Sequence, residues 1–211
     1  MRVACVLKSG GAYDAEYVGR LHLSIVSRHP EVEFFCISDV PVPCQRIEMG
    51  YGWPGWWSKM ELFRPDIKGD LLTIDLDTVV CGDISDILAV DGLTMLRDFY
   101  HPSRSASGLM VLPERWRRHV WKSWMWSPWV YIEQYSRHGD QAYLADVFRG
   151  ADQKWQDLVP NQIVSYKCHV AQASSRNPQE VGDGTIPPDA RMICFHGTPR
   201  PRDVRWLETH I

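Results

Sequence analysis

Apolar residues run unbroken from Val3 to Leu7 and give way to Ser9-Gly10-Gly11; from Ala15 to Ser27 they recur as Tyr17, Val18, Leu21, Ile25 and Val26, one helix face. This reads as strand, glycine turn, helix. A second apolar run, Glu33 to Ser38, completes a βαβ unit whose right-handed crossover makes the strands parallel. From Asp39 to Gly55 proline and glycine accumulate and no period survives, so the pattern predicts a long loop, a feature usually tied to function. Trp56 to Phe63 predicts a short helix stopped by Pro65, and Leu71 to Ile74 a strand buried on both faces. That strand runs directly into Asp75-Leu76-Asp77 and then Thr78 to Cys81. Leu93 to Leu96 and Gly108 to Leu112 predict further strands, Pro113 to Trp124 and Asp140 to Phe148 helices, and Met192 to Phe195 a last strand leading into His196. Asn177 to Asp189, rich in Gly, Pro and acids, is the most linker-like piece, and no repeat or low-complexity tract interrupts the chain. The alternation predicts an α/β fold, a mixed, mostly parallel sheet flanked by helices, with ligands at the carboxyl ends of its strands.

Length changes the picture little: 211 residues suit one domain, about 150 being usual. Charge changes it more. Lys and Arg number 23 against 26 Asp and Glu, a formal charge of -3, which argues against a polybasic nucleic-acid or membrane-surface binder. An anionic ligand must therefore be met locally. The longest stretches without Asp, Glu, Lys or Arg, Met49 to Ser58 and Ser123 to Ile132, fall well short of the roughly 18 to 20 apolar residues that span a bilayer. The opening apolar run ends at Lys8, too soon for the roughly 7 to 15 residues of a secretory signal core, so a cytoplasmic protein is expected. Six cysteines without a C-x-x-C pair, set among apolar neighbours, predict buried thiols in strands rather than a zinc site or disulfide framework. Ten Trp, eight Tyr and six Phe exceed what a small core needs, which points to a concave site where planar or sugar-like ligands stack.

The candidate chemistry starts at Asp75 and Asp77. Carboxylates at i and i+2 can face one way, and charges that close repel unless a cation lies between them. Oxygen ligands suit Mg²⁺ or Mn²⁺, and such an ion can bridge a diphosphate; a turn or cap role for the acids is the alternative. His196 stands at the end of another apolar strand. If the two strands are neighbours in one sheet, a neutral imidazole becomes a third ligand and tilts the site toward Mn²⁺.

The run Trp56-Trp57-Ser58-Lys59-Met60-Glu61-Leu62-Phe63, then Leu72 to Val80 around Asp75-Leu76-Asp77, Ser107-Gly108-Leu109-Met110-Val111, Gly139-Asp140-Gln141 and finally Phe195-His196-Gly197-Thr198-Pro199-Arg200-Pro201 resembles the GT-A-fold retaining glycosyltransferases. The similarity is to the glycogenin and bacterial galactosyltransferase group with its small soluble bacterial and phage relatives. It extends in order from Val3 to Pro201. The resemblance implies a UDP-sugar donor, transfer with retention, and Mn²⁺ or Mg²⁺ held by Asp75, Asp77 and His196. It implies that Lys59 contacts the donor, that Ser107 and Gly108 lie over the donor sugar, and that Asp140 and Gln141 approach the reaction centre. Val3 to Gly11, with Lys8, matches the nucleotide-base pocket, and Tyr13 is a candidate to stack on the base. Leu76 and Gly197 match the donor-binding segments around the metal ligands. One glycosyltransferase domain is implied, residues 1–100 its nucleotide and metal half and 101–211 its acceptor half.

The chain departs from the pattern at two places. Ala106 stands where the group usually carries Asn or Asp, and Thr198 stands where it often carries a lysine toward the diphosphate, leaving Arg200 or Arg202 as substitutes able to bond a phosphate bidentately. Trp53, Trp56 and Trp57 predict either a lid over the site or a cluster beneath the loop. Trp116, Trp121, Trp124, Trp126, Trp129 and Tyr131, among Arg115, Arg117 and Arg118, predict core plus an exposed patch, a homodimer or acceptor surface. The acceptor is expected to be a glycan or protein rather than nucleic acid. The alternatives are a metal-dependent nucleotidyltransferase acting on a sugar phosphate, or a nucleotide-sugar binding module without catalysis.

Overall fold

The structure is a computed structural model that describes residues 1–171 and 184–204; residues 177–183 of the linker-like piece lie outside them. Its first unit is β1 (Arg2–Leu7), α1 (Ala15–Val26) and β2 (Glu33–Ser38), with β1 and β2 parallel from Arg2 opposite Glu33 to Leu7 opposite Ser38. Asp14 caps α1 by accepting from the amides of Glu16 and Tyr17. The apolar run of β1 is continuous because both faces are covered. Val3, Cys5 and Leu7 pack on Tyr17, Val18, Leu21 and Ile25 of α1, while Ala4 joins Phe35, Trp57, Met60 and Phe63 on the other side.

The chain continues as β3 (Gln45–Glu48), a 3₁₀ helix (Gly55–Phe63), β4 (Leu71–Ile74), β5 (Thr78–Val80), α2 (Ser85–Leu88), β6 (Thr94–Arg97) and β7 (Ser105–Leu112). Three helices follow, α3 (Glu114–Trp124), α4 (Pro128–Gln134) and α5 (Gly139–Phe148). Next come β8 (Gln153–Lys154), α6 (Trp155–Leu158), β9 (Ile163–Ser165), a π-helical turn (Tyr166–Val170), β10 (Met192–Cys194) and a short 3₁₀ turn (Pro201–Asp203). The main sheet has the order β3-β2-β1-β4-β7-β6-β8, parallel except where β7 pairs with β4 and β6. This is the mixed, mostly parallel α/β architecture expected.

One expectation is overturned. The strand before the acids and the strand before His196 are not neighbours in one sheet: β4 belongs to the seven-stranded sheet, whereas β10 lies in a three-stranded sheet between β5 and β9. The chain changes sheets across Asp75-Leu76-Asp77, so β5 carries the acid turn to β10, antiparallel with Ile193 opposite Val79. The amide of Phe195 donates to the Asp77 carbonyl at 3.1 Å and closes the junction.

Within the 39–55 stretch read as loop, residues 45–48 form an edge strand on β2. Its Gln-Arg-Ile-Glu sequence hides the strand because only Ile47 turns partly inward. Cys5, Cys36, Cys168 and Cys194 are buried free thiols, three in strands and Cys168 in the π-helical turn. Trp53 and Trp57 are buried with Trp124, the Trp57 and Trp124 rings stacked at 5.3 Å, so these two belong to a cluster beneath the loop. Trp56 is 57% exposed. No described helix is long and apolar enough to cross a membrane.

Candidate active site

The acid turn lies where β4 ends and the sheets part. The Asp75 amide donates to the Gly108 carbonyl at 2.9 Å and the Thr78 amide to the Asp75 carbonyl at 3.0 Å, so the backbone of β7 fixes the turn. Leu76, between the acids, is buried in the core. Behind the turn, Lys59 projects from the 3₁₀ helix with its Nζ 2.9 Å from Asp75 Oδ1 and 3.2 Å from Asp140 Oδ2. It also donates to Ser107 Oγ at 3.2 Å, and Ser107 Oγ donates to Asp140 Oδ2 at 2.6 Å. Four residues far apart in the chain thus form one network. Burial opposes the charge on Lys59, but Asp140 and Asp75 hold its ammonium above the ordinary range. Withdrawal from water pushes the Asp75 carboxyl up to about 7; Lys59 resists the shift, and the charges of Asp77 and Asp140 add to it.

Asp77 faces Tyr13, in the turn between β1 and α1. Its Oδ2 accepts from Tyr13 Oη at 3.2 Å. The Tyr13 ring meets Tyr17 edge-on at 5.1 Å and carries the Arg200 guanidinium 5.5 Å from its centre. Arg202 turns instead toward Asp14 and the Tyr17 ring. Of the two arginines considered, Arg200 is therefore the one joined to Asp77, through Tyr13. His196 has φ of 52°, a left-handed backbone that costs a non-glycine residue about 1 kcal/mol or more. Its Nε2 is buried without a hydrogen-bond partner. Burial holds the imidazole below its ordinary pKa, with the Asp77 carboxylate opposing the shift. Phe99 packs at 5.1 Å from its ring and Lys167 Nζ donates to its carbonyl at 2.7 Å. Nothing in the sequence pattern announces Phe99 or Lys167, which sit in segments without a readable period.

Two cavities meet across the acids. One of about 500 Å³ runs along residues 6–13 and contains Lys8 and Tyr13; the other, about 400 Å³, is bordered by Ser107, Gly108, Asp140, Gln141 and His196. Trp56, Lys59, Asp75 and Asp77 line both. Gly197 and Arg200 line neither. Gly139, just before Asp140, shapes the wall: φ is 69°, and a Cβ there would come within 2.7 Å of Trp56 Nε1. Arg137 and His138 also border the second cavity and were not read from the sequence.

Among the described residues, no three His, Cys, Asp or Glu side chains stand together as a preformed ion-binding set. Asp75 is satisfied by Lys59 and Asp77 by Tyr13. The donor set nevertheless fits a divalent cation in chemistry. Two carboxylates and an imidazole line one cavity, and the imidazole nitrogen is buried and unpartnered.

No protein-family model and no curated protein sequence matches the chain. Solved structures do match. An active-site mutant of LgtC superposes with a TM-score of 0.64 at 13% identity, covering 95% of this chain and 89% of that one. Galactosyltransferase LgtC in complex with donor and acceptor sugar analogs gives 0.61 at 15% identity with the same coverage. The apo form of the glycosyltransferase GlyE of Streptococcus pneumoniae TIGR4 gives 0.70 at 16% identity, covering 100% of this chain and 60% of that one. The chain therefore spans most of the length of LgtC and about three fifths of GlyE. At these identities the likeness defines the architecture, a GT-A fold.

Proposed function

We propose that the protein is a glycosyltransferase that moves a hexose from a nucleotide sugar, a UDP-sugar by the resemblance of its motifs, to an acceptor hydroxyl with retention of configuration. The observation that carries this reading is the meeting of two cavities across Asp75 and Asp77, one along the end of β1 and one bordered by Asp140 and Gln141. That LgtC, a galactosyltransferase crystallised with donor and acceptor sugar analogs, has the same fold supports it.

In this reading the base and ribose lie along residues 6–13, and the diphosphate crosses the acid turn. Asp75, Asp77 and His196 would hold a divalent cation, Mn²⁺ or Mg²⁺, which when bound supplies Lewis-acid stabilisation of the charge on the leaving diphosphate. Arg200, joined to Asp77 through Tyr13, adds positive charge on the same side. Lys59 and Ser107 orient the Asp140 carboxylate at the edge of the second cavity, so its position is set before substrate arrives. There the bond from the anomeric carbon to the diphosphate oxygen breaks, the bond to the acceptor oxygen forms on the same face, and the acceptor proton leaves with the diphosphate. Gln141 and Asp140 are the groups assigned to that reaction centre. Residues 1–100 serve the nucleotide, residues 101–211 the acceptor, which is a glycan or protein.

The test is a panel of nucleotide sugars with and without Mn²⁺. Metal-dependent release of UDP from one UDP-hexose is expected, and Asp77→Asn should lower it at least about hundredfold while the melting temperature holds. Release of pyrophosphate would make the protein a nucleotidyltransferase instead. Binding of UDP-sugars without release from any of them would leave a binding module.

A further inference from the structure

The outer side of α3 and α4 carries a surface that the cavities do not use. Arg115, Arg118, His119 and Lys122 recur at helical spacing on the exposed side of α3. The next turns along the same line present Met125, Trp126, Trp129 and Val130, which are 41%, 84%, 65% and 56% exposed. The opposite side of α3, with Arg117, Val120 and Trp124, is buried, so the outer stripe is not a core face. The chain as a whole is acidic, yet residues 114–138 expose Arg115, Arg118, Lys122 and Arg137 against two Glu, Arg117 being buried. Charge summed over the chain therefore hides a basic strip that ends in a tip of exposed indoles.

Exposed Trp beyond one end of α3 and Lys and Arg along its outer side can meet a bilayer surface, where indoles sit at headgroup level and cations meet lipid phosphate. A protein partner would be served by an apolar patch with a balanced polar rim; here Arg115 and Lys122 stand exposed beside the indoles, with Arg118 paired to Glu114 and Glu133 the other acid, and this positive excess favours a negatively charged surface. We infer that the outer face of α3 and α4 docks on anionic lipid bilayers, with Trp126 and Trp129 seated among the headgroups and Arg115 and Lys122 meeting their phosphates. The protein then lies on the membrane without crossing it, in keeping with its helices. Along the chain the stripe is followed by the candidate active site, since α4 leads through Arg137 and His138, both at the border of the second cavity, into Asp140.

The experiment is flotation of the full chain with vesicles of phosphatidylcholine alone and of phosphatidylcholine containing phosphatidylglycerol, at low and raised salt. Binding is expected only to the anionic vesicles, weakening with salt, with tryptophan emission quenched by lipids brominated near the headgroup. Arg115→Gln with Lys122→Gln should weaken partitioning roughly twenty-fivefold, about fivefold per cation removed. Trp126→Ala with Trp129→Ala should abolish the quenching and weaken binding roughly tenfold. All four positions are exposed, and unchanged circular dichroism verifies that the variants fold. Absence of binding, or equal binding to neutral vesicles, overturns the inference. So does a dimer in sedimentation that dissociates in the double tryptophan variant, which would assign the patch to a second copy of the chain.

Discussion

Lys59 serves two carboxylates at once, and its removal tests whether the network is structural as well as chemical. Its side chain is 12% exposed and that of Asp140 8%, so Lys59→Ala would leave Asp140 with Ser107 and no counter-charge. A loss of about 3 kcal/mol in urea unfolding is expected, at the lower end for a broken buried pair because Asp75 keeps some access to water. A loss under about 1 kcal/mol would show that the network is solvated. In the proposed function, Asp75 would make cation binding depend on pH. With its carboxyl pushed up to about 7, it holds a proton below that pH and must release it to bind an ion. Affinity for Mn²⁺ should therefore rise with pH from about 6 to about 8 and level off above, with proton release in calorimetry across buffers of different ionisation heat. Burial lowers the pKa of His196, so its proton competes less with a cation than that of a free imidazole. Pairing of Lys59 with Asp140 was not legible in the sequence, since 81 positions separate them and each reads alone as a helix-face or helix-start residue.

Elements decide where these side chains meet. The strands β1, β2 and β4 and the helix α1 were legible because their apolar residues follow one period and both faces are covered. The edge strand β3, short α4 and the β8 to β9 region were not, because pairing or packing with distant segments, rather than local period, makes them. The wall of the second cavity depends on such a distant contact. α5 starts at Gly139, whose positive φ and closeness to Trp56 leave no room for a side chain. Gly139→Ala should cost about 1 to 2 kcal/mol and displace either the Trp56 ring or the start of α5. Since Asp140 and Gln141 are the next two residues, donor turnover should fall more than donor binding does. A variant with wild-type turnover would show that the Trp56 ring can move without consequence.

At the scale of the whole molecule, the junction of two sheets makes the site. β4 ends in the large sheet, β5 begins in the small one, and the acids occupy the crossing, with His196 brought to the border of the same cavity by the pairing of β5 with β10. The sequence marked both strand ends as apolar runs closed by polar groups, but it contained no signal that they belong to different sheets, because strand pairing is set by contacts more than a hundred residues apart. A site at such a junction couples ligand binding to the docking of one sheet on the other. A nucleotide spanning residues 6–13 and the acid turn, together with a cation on groups from both sheets, should therefore stabilise the fold as a unit. At about 100 times its dissociation constant a ligand that binds only the folded chain contributes roughly 2.7 kcal/mol, which for a domain of this size is a rise of about 5 to 10 °C in melting temperature. UDP should give that rise only when Mn²⁺ is present, and Asp77→Asn should cancel it. An equal rise from UDP without metal would transfer the task of holding the diphosphate to Lys8, Lys59 and Arg200, and would remove the cation from the junction.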